Sequence, residues 1–371
     1  MKILILTKRQ YMNKDLIDDR FGRFREIPLA LAERGHTVTG LCLSYRKRTE
    51  GWIADGPVNW KSINAGPSKA SGLFRFIMAA RRLAARSDVI WACSDSFYGI
   101  IGCFLGRIHR CPVVFDIYDN FGEFFVGRLP VVRQLYHWAI RHSDAVTCLS
   151  SAFADYLAAE FPRQSRIYPI EFAVRSDLFK PMDRKHCREV MGLPVSATII
   201  GACGALYKNR NIFVLIEAFT QLRHRYPGLH LALAGPRDAV FPDDPAICDC
   251  GILPHETVPV FLNALDIGVI CYPNDAFGRY CFPQKTREFM ACDVPIIASA
   301  VGSLKDLLKE HPEWLYDPED AVQLASRIEQ RLTDRETDYD PPTTWTDLAV
   351  RLETILQAVT ADQPPCPSPS M

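Results

Sequence analysis

The feature that most constrains this chain is a rhythm. Short apolar runs alternate with segments of helical period, and the alternation occurs twice along 371 residues. In the first half KILILT (2–7), DVIWACS (88–94), PVVFDIYD (112–119), AVTCLS (145–150) and RIYPI (166–170) read as buried strands. Between them, 23–34, 73–86, 97–108, 129–142 and 151–160 read as helices, and GHTVTGLCL after the first helix reads as a glycine stop and a strand. Lys8 to Arg20 is polar and loop-like. In the second half TIIGACG (198–204), LHLALAG (229–235), DIGVICYP (266–273) and VPIIAS (294–299) are strands. Helices are expected over 210–226, 255–265, 285–292, 303–310 and 319–332. Short apolar strands fed by helices need a parallel sheet covered on both faces.

The expected fold class is therefore α/β, with two doubly wound Rossmann-like domains facing across a cleft. The first spans residues 1–172, a proline-bearing linker 173–196, and the second 197–340. Residues 341–358 read as a C-terminal helix packing back on the first domain, and 359–371 as a disordered proline-rich tail. In such folds ligands gather at the carboxyl ends of strands. Neither first strand is followed by G-x-G-x-x-G, which counts against a dinucleotide site.

Composition narrows the partners. Lysine plus arginine equals aspartate plus glutamate, 43 against 43, so no general basic surface for nucleic acid is expected. Several of the 13 cysteines lie in apolar runs and read as small buried hydrophobes. Cys248 and Cys250 stand near His255 but lack a second pair at zinc spacing, so no metal is expected. The N-terminal apolar run is a strand rather than a signal peptide, and no run is long enough to span a bilayer. A cytoplasmic location is expected.

Four stretches of the second half carry a family resemblance: GALYKNRNIFVLIEAF (204–219), LHLALAG (229–235), LPHETVPVFLNALDIGVICYP (253–273) and FPQKTREFMACDVPIIASAVGSLKDLL (282–308). With IPLALAERGHTVT (27–39) and IEFAVRSDLFKP (170–181), they make the chain resemble the retaining glycosyltransferases of family 4, which have the GT-B fold. The resemblance implies an enzyme that moves a sugar from a nucleoside diphosphate sugar to a hydroxyl, with retention and without metal. Its setting would be cell-envelope, polysaccharide or glycolipid synthesis, and its acceptor a carbohydrate, glycolipid or small molecule. The alternatives are a sugar-nucleotide epimerase or hydrolase on the same fold, or a non-catalytic nucleotide-sugar scaffold.

The departures from the family pattern are specific. The first loop reads DLIDDRFGR where relatives often carry Gly-Gly. Ala205 stands at a usual arginine, Arg210 at a usual lysine, and Tyr280 at the first glutamate of a Glu-x7-Glu pair whose second member is Glu288. A departing diphosphate needs aimed cations and backbone N–H groups. Gly204, Lys208, Arg210 and Lys285 fit that need, Arg210 as a bidentate donor. Glu288 shares a helix face with Lys285; the resemblance implies that it accepts from ribose hydroxyls, and Phe282 and Pro283 just before the helix could border the base. Ser303 is expected to cap its helix or touch a phosphate. Arg210 and Lys285 are the catalytic candidates of the donor side.

The acceptor side is expected in the first domain. The resemblance places the end of PVVFDIYDN beside the reacting sugar, which makes Asp119 the catalytic candidate, with Arg20, Asp95, Asp116, Asn120 and Glu123 as further acceptor-side candidates. Lys8, Arg9 and Arg23 cluster near the first loop and would neutralise a diphosphate or an anionic acceptor. The plain alternative for each of these charges is a solvated rim. The basic, apolar stretches 72–87 and 128–142 could lie on anionic lipid, although packing against the sheet explains them as well.

Overall fold

A computed structural model describes residues 1–11, 14–67, 69–120, 129–238 and 241–362. The chain divides into two compact units, Met1–Glu171 with Trp345–Met371, and Phe172–Thr344.

The first unit is built on β1 (Lys2–Lys8), followed by a hairpin of β2 (Gln10–Tyr11) and β3 (Lys14–Asp15) and by helix α1 (Arg23–Glu33). Then come β4 (Thr37–Ser44), β5 (Gly51–Asp55), β6 (Val58–Asn64), α2 (Ala70–Ala84), β7 (Val89–Ser94), α3 (Ser96–His109), β8 (Val113–Ile117), α4 (Pro130–His142), β9 (Ala145–Cys148), α5 (Ser151–Glu160) and β10 (Ile167–Pro169). The main sheet runs β10-β9-β8-β7-β1-β4-β6-β5. Its strands pair in parallel except β5, which pairs antiparallel to β6 at one edge. Every residue of β7, β8 and β9 is buried, as helices on both faces require.

The segment read as a polar loop contains the β2–β3 hairpin, and an ion pair explains why. Arg9 is fully buried and meets Asp15 at 2.9 Å, Asp18 at 2.6 Å and the Ser62 hydroxyl at 2.9 Å. The β5–β6 hairpin arises from a stretch with no clear period, in which Trp60 fills the space over Gly40.

The second unit opens with α6 (Arg184–Met191), inside the stretch expected as a linker. Phe179, Cys187 and Leu193 of that stretch belong to this unit's core. Then follow β11 (Thr198–Cys203), α7 (Ile212–Arg225), β12 (Leu229–Ala234), β13 (Ile247–Asp249), α8 (Val258–Asn263), β14 (Ile267–Ile270), α9 (Ala276–Tyr280), α10 (Gln284–Ala291), β15 (Ile296–Ser299), α11 (Gly302–Leu307), β16 (Leu315–Tyr316) and α12 (Ala321–Thr333). The parallel sheet runs β13-β12-β11-β14-β15-β16. One core layer joins α8 and α10 through Phe261, Leu262 and Phe289. The other joins α7 and α12 through Leu215, Phe219, Leu324 and Ile328.

Helix α13 (Trp345–Ala361) belongs to the first unit and packs on α1. There Glu353 accepts from Arg34 at 2.7 Å and meets His36 at 2.7 Å. Residues 363–371, most of the expected tail, lie outside the described residues.

Candidate functional site

In the second unit the donor candidates sit where β11, β12 and β14 end. Gly204 follows β11 with φ +127, and its N–H donates to the Ala234 carbonyl at 2.9 Å. Gly235 follows β12 with φ +142; a Cβ there would stand 1.8 Å from the Gly204 oxygen. The two turns are therefore pressed together, and Leu206 and Arg237 extend the pairing beyond the sheet. Asn211, in the left-handed region at φ 58, ends the short 3-10 turn Lys208–Arg210 and starts α7.

Lys285 closes over this loop from α10, its Cγ 3.8 Å from the position of a Cβ on Gly204. Its Nζ donates to Glu288 Oε2 at 2.6 Å. The Glu288 residue is 1% exposed, whereas the Lys285 side chain keeps 28% of its surface, so lysine is the outward member. Burial alone would lower the Lys285 pKa; the Glu288 carboxylate reverses the sign, and the net shift is upward. His255 lies within electrostatic reach of the pair. Burial lowers its pKa, Glu288 opposes that and Lys285 adds to it.

Arg210 is half-buried, and its guanidinium lies 3.5 Å from the centroid of Phe277 and 5.8 Å from that of Tyr272. Its backbone N–H donates to the Tyr207 carbonyl at 2.9 Å, and its side-chain Nε is buried without a partner among the described residues. Lys208 is exposed, and its N–H donates to Asp238 at 2.9 Å. Phe282 and Pro283 are buried before α10, Phe282 with its ring 6.4 Å from Phe172. Ser303 is not a cap: Val301 occupies the N-cap of α11, and the Ser303 hydroxyl donates to the Cys281 carbonyl at 2.9 Å. The helix begins early enough that its cap falls two residues before the serine, which sits inside the first turn.

In the first unit the candidates separate into structural and open groups. Asp116 is fully buried, accepting from Arg23 at 2.9 Å and Thr147 at 2.6 Å. Burial pushes its carboxyl pKa up, and Arg23 and Thr147 oppose the shift. Arg23 also donates to the Ile170 carbonyl at 2.8 Å, so Arg9 and Arg23 hold the fold rather than line an open rim. Asp95 caps α3 through the Phe97 N–H and has Lys8 Nζ at 4.0 Å; burial raises its pKa, and Lys8 opposes that. Asp119 and Asn120 are half-buried just past β8, the Asn120 N–H donating to Asp119 Oδ1 at 2.9 Å. Lys8, Asp95 and Asp119 thus lie at the carboxyl ends of three neighbouring strands. Arg20 is exposed, with φ 47. Glu123 lies outside the described residues.

Sequence reasoning missed Tyr272 and Phe277. The signal for α9 was present: Asp275 caps it through the Gly278 N–H at 2.8 Å. Among the described residues, no group of three or more His, Cys, Asp or Glu side chains is arranged to hold a metal. No helix there is long and apolar enough to cross a membrane.

Two doubly wound parallel-sheet units, the second ending its strands in a glycine-turn and lysine–glutamate site, define the GT-B class of scaffold. Residues 23–172 match the family model described as a glycosyl transferase 4-like domain, and residues 197–334 that of glycosyl transferases group 1. The chain belongs to the GT-B glycosyltransferases related to family 4. It is similar to a D-inositol 3-phosphate glycosyltransferase from Stackebrandtia nassauensis, 26% identical over 53% of this chain and 47% of that one. It is also similar to a 2-deoxystreptamine glucosyltransferase from Streptomyces kanamyceticus, 23% identical over 55% of each. These matches span about half the length of the curated relatives. In fold, the chain resembles sucrose-phosphate synthase from Thermosynechococcus elongatus, with TM-score 0.70, 20% identity and coverage of 97% of this chain and 95% of that one. Anabaena HepE, solved with UDP, gives TM-score 0.68 at 18% identity, covering 97% and 98%.

Proposed function

We propose that this protein transfers a sugar from a nucleoside diphosphate sugar held by the second unit to a hydroxyl acceptor held by the first, with retention. The observation that carries the reading is Arg210: a half-buried guanidinium with no carboxylate partner among the described residues, fixed on aromatic rings beside the Gly204 loop. A cation kept unpaired among so many ion pairs suits an anion that comes and goes. Lys285 supplies a second positive charge, and Glu288 keeps it protonated and placed. The remaining lone pairs of Glu288 are offered to ribose hydroxyls. Loop amides from Gly204 onward complete the pocket.

As the bond from the sugar's anomeric carbon to the phosphate oxygen breaks, charge grows on the diphosphate and meets these cations. The acceptor oxygen bonds to the same carbon from the same face. Its proton passes to the departing phosphate oxygen, so neither metal nor enzyme nucleophile is required. Asp119 orients the acceptor. UDP-bound HepE supports a uridine donor, and two Bacillus subtilis relatives named for teichuronic acid biosynthesis support an envelope polysaccharide or glycolipid acceptor.

A thermal-shift screen against UDP-, GDP-, ADP- and dTDP-sugars tests the donor reading. One donor at a hundred times its dissociation constant should stabilise the protein by about 2.7 kcal/mol. Glu288→Ala should weaken that donor about ten- to a hundredfold. No shift with any nucleotide, or an unchanged Glu288→Ala variant, would remove the donor site.

A lipid-borne acceptor would bring the first unit to a membrane surface. Of the two stretches singled out, α2 has Arg75 tied to Glu50 at 2.9 Å. The face of α3 and α4 is better suited: it contains no acidic residue, exposes Phe104, Ile108 and Val131, and stacks Arg107 on Trp138 at 5.2 Å. The protein should pellet with anionic liposomes at low salt and not with neutral ones.

A further inference from the structure

We infer that Phe277, with Tyr272 behind it, is a positioning residue that sets Arg210 for the diphosphate; the inference rests on the donor reading above. Arg210 stands where the family pattern has lysine, and the usual arginine nearby is Ala205. A guanidinium is planar and has no single direction of charge, so it must be oriented to give two parallel bonds to a phosphate. Three buried arginines of this protein are oriented by carboxylates instead. Asp15 holds Arg9, Asp116 holds Arg23 and Asp266 holds Arg188. A carboxylate on Arg210 would neutralise the charge and occupy the N–H groups the phosphate needs. An aromatic face fixes the plane and leaves both free.

The shelf is built to stay still. Tyr272 and Phe277 stack at 5.7 Å with planes 17° apart. The Tyr272 N–H donates to the Ser299 hydroxyl at 3.0 Å, anchoring it to the end of β15. Helix α9 is capped by Asp275, and a Cβ on Gly278 would stand 1.9 Å from the Pro273 carbonyl oxygen. The Cys281 carbonyl after α9 takes the Ser303 hydroxyl. The segment that carries Tyr280 in place of the family's glutamate thus presents an aromatic ring to the phosphate-side cation.

Calorimetric titration of UDP, ADP and GDP, each against its parent nucleoside, tests this. Phe277→Leu should weaken the bound diphosphate about five- to thirtyfold and leave the nucleoside unchanged. Phe277→Tyr should restore wild-type affinity. In an Arg210→Ala background, Phe277→Leu should add nothing. Tyr272→Leu, the substitution to use if Phe277→Leu does not fold, should give a smaller loss with the same indifference of the nucleoside. Equal loss for diphosphate and nucleoside, or additive loss with Arg210→Ala, would overturn the inference and leave the donor site standing. An Arg210→Ala variant with wild-type diphosphate affinity, or a wild type that binds none of the three, would overturn both.

Discussion

Asp116 and Asp119 are three residues apart, yet their surroundings differ completely. Asp116 is sealed against Arg23, two charges removed from water in one contact of 2.9 Å. Replacing one partner leaves the other buried and unpaired, at a cost of about 3–5 kcal/mol. Asp116→Asn should therefore lower the denaturation midpoint sharply, as followed by circular dichroism. Asp119 lies half-buried past the strand end. As an acceptor-orienting group, it should behave oppositely: Asp119→Asn should cut turnover on the order of a hundredfold and leave the midpoint unmoved. Sequence alone placed both at the end of one strand. The partner on α1 that seals Asp116 lies 93 positions away, so no local pattern could tell the two apart.

At the scale of elements, the donor site is a junction of turns, and its tolerance is set by backbone against backbone. The Gly235 turn touches the Gly204 carbonyl where any side chain would overlap it. Gly235→Ala should cost about 2–4 kcal/mol, combining backbone strain with overlap. It should also weaken nucleotide binding by displacing the Gly204 loop; unchanged affinity with lowered stability would show that the loop is held independently. The strands and helices framing this junction were legible, because burial on both faces writes continuous apolar runs. Helix α9 offered only its Asp275 cap, since five residues are too few to show a period. The β5–β6 hairpin escaped for a related reason, its edge strand alternating between half-buried and exposed residues.

For the molecule as a whole, Asp15 and Glu353 link stability to pH in the sense opposite to the buried Asp95 and Asp116. Burial alone would raise the pKa of Asp15. The N–H groups of the following turn and Arg9 override that, and the net shift is downward. Glu353 behaves likewise, with His36 and Arg34 overriding burial. Both groups ionise more readily folded than unfolded, so unfolding takes up protons and acid destabilises. The melting temperature should hold steady above the ordinary carboxylate range and fall below about pH 4. Glu353→Gln should show a shallower acid slope, because the carboxyl that Arg34 and His36 hold ionised in the turn between α1 and β4 no longer titrates; an unchanged slope would place the linkage elsewhere.

Apolar periodicity determined the class of architecture, and family resemblance singled out Gly204 and Arg210 in a loop and Lys285 and Glu288 on a helix, because both signals are carried by local stretches of the chain. Only tertiary structure decided which charges are free. Arg9, Arg23 and Arg210 look alike as letters; the first meets a carboxylate of the hairpin that follows it, the second one delivered by β8, and the third an aromatic ring. Solvation and pairing depend on what the fold brings within a few ångströms, and that distance is not written along the sequence.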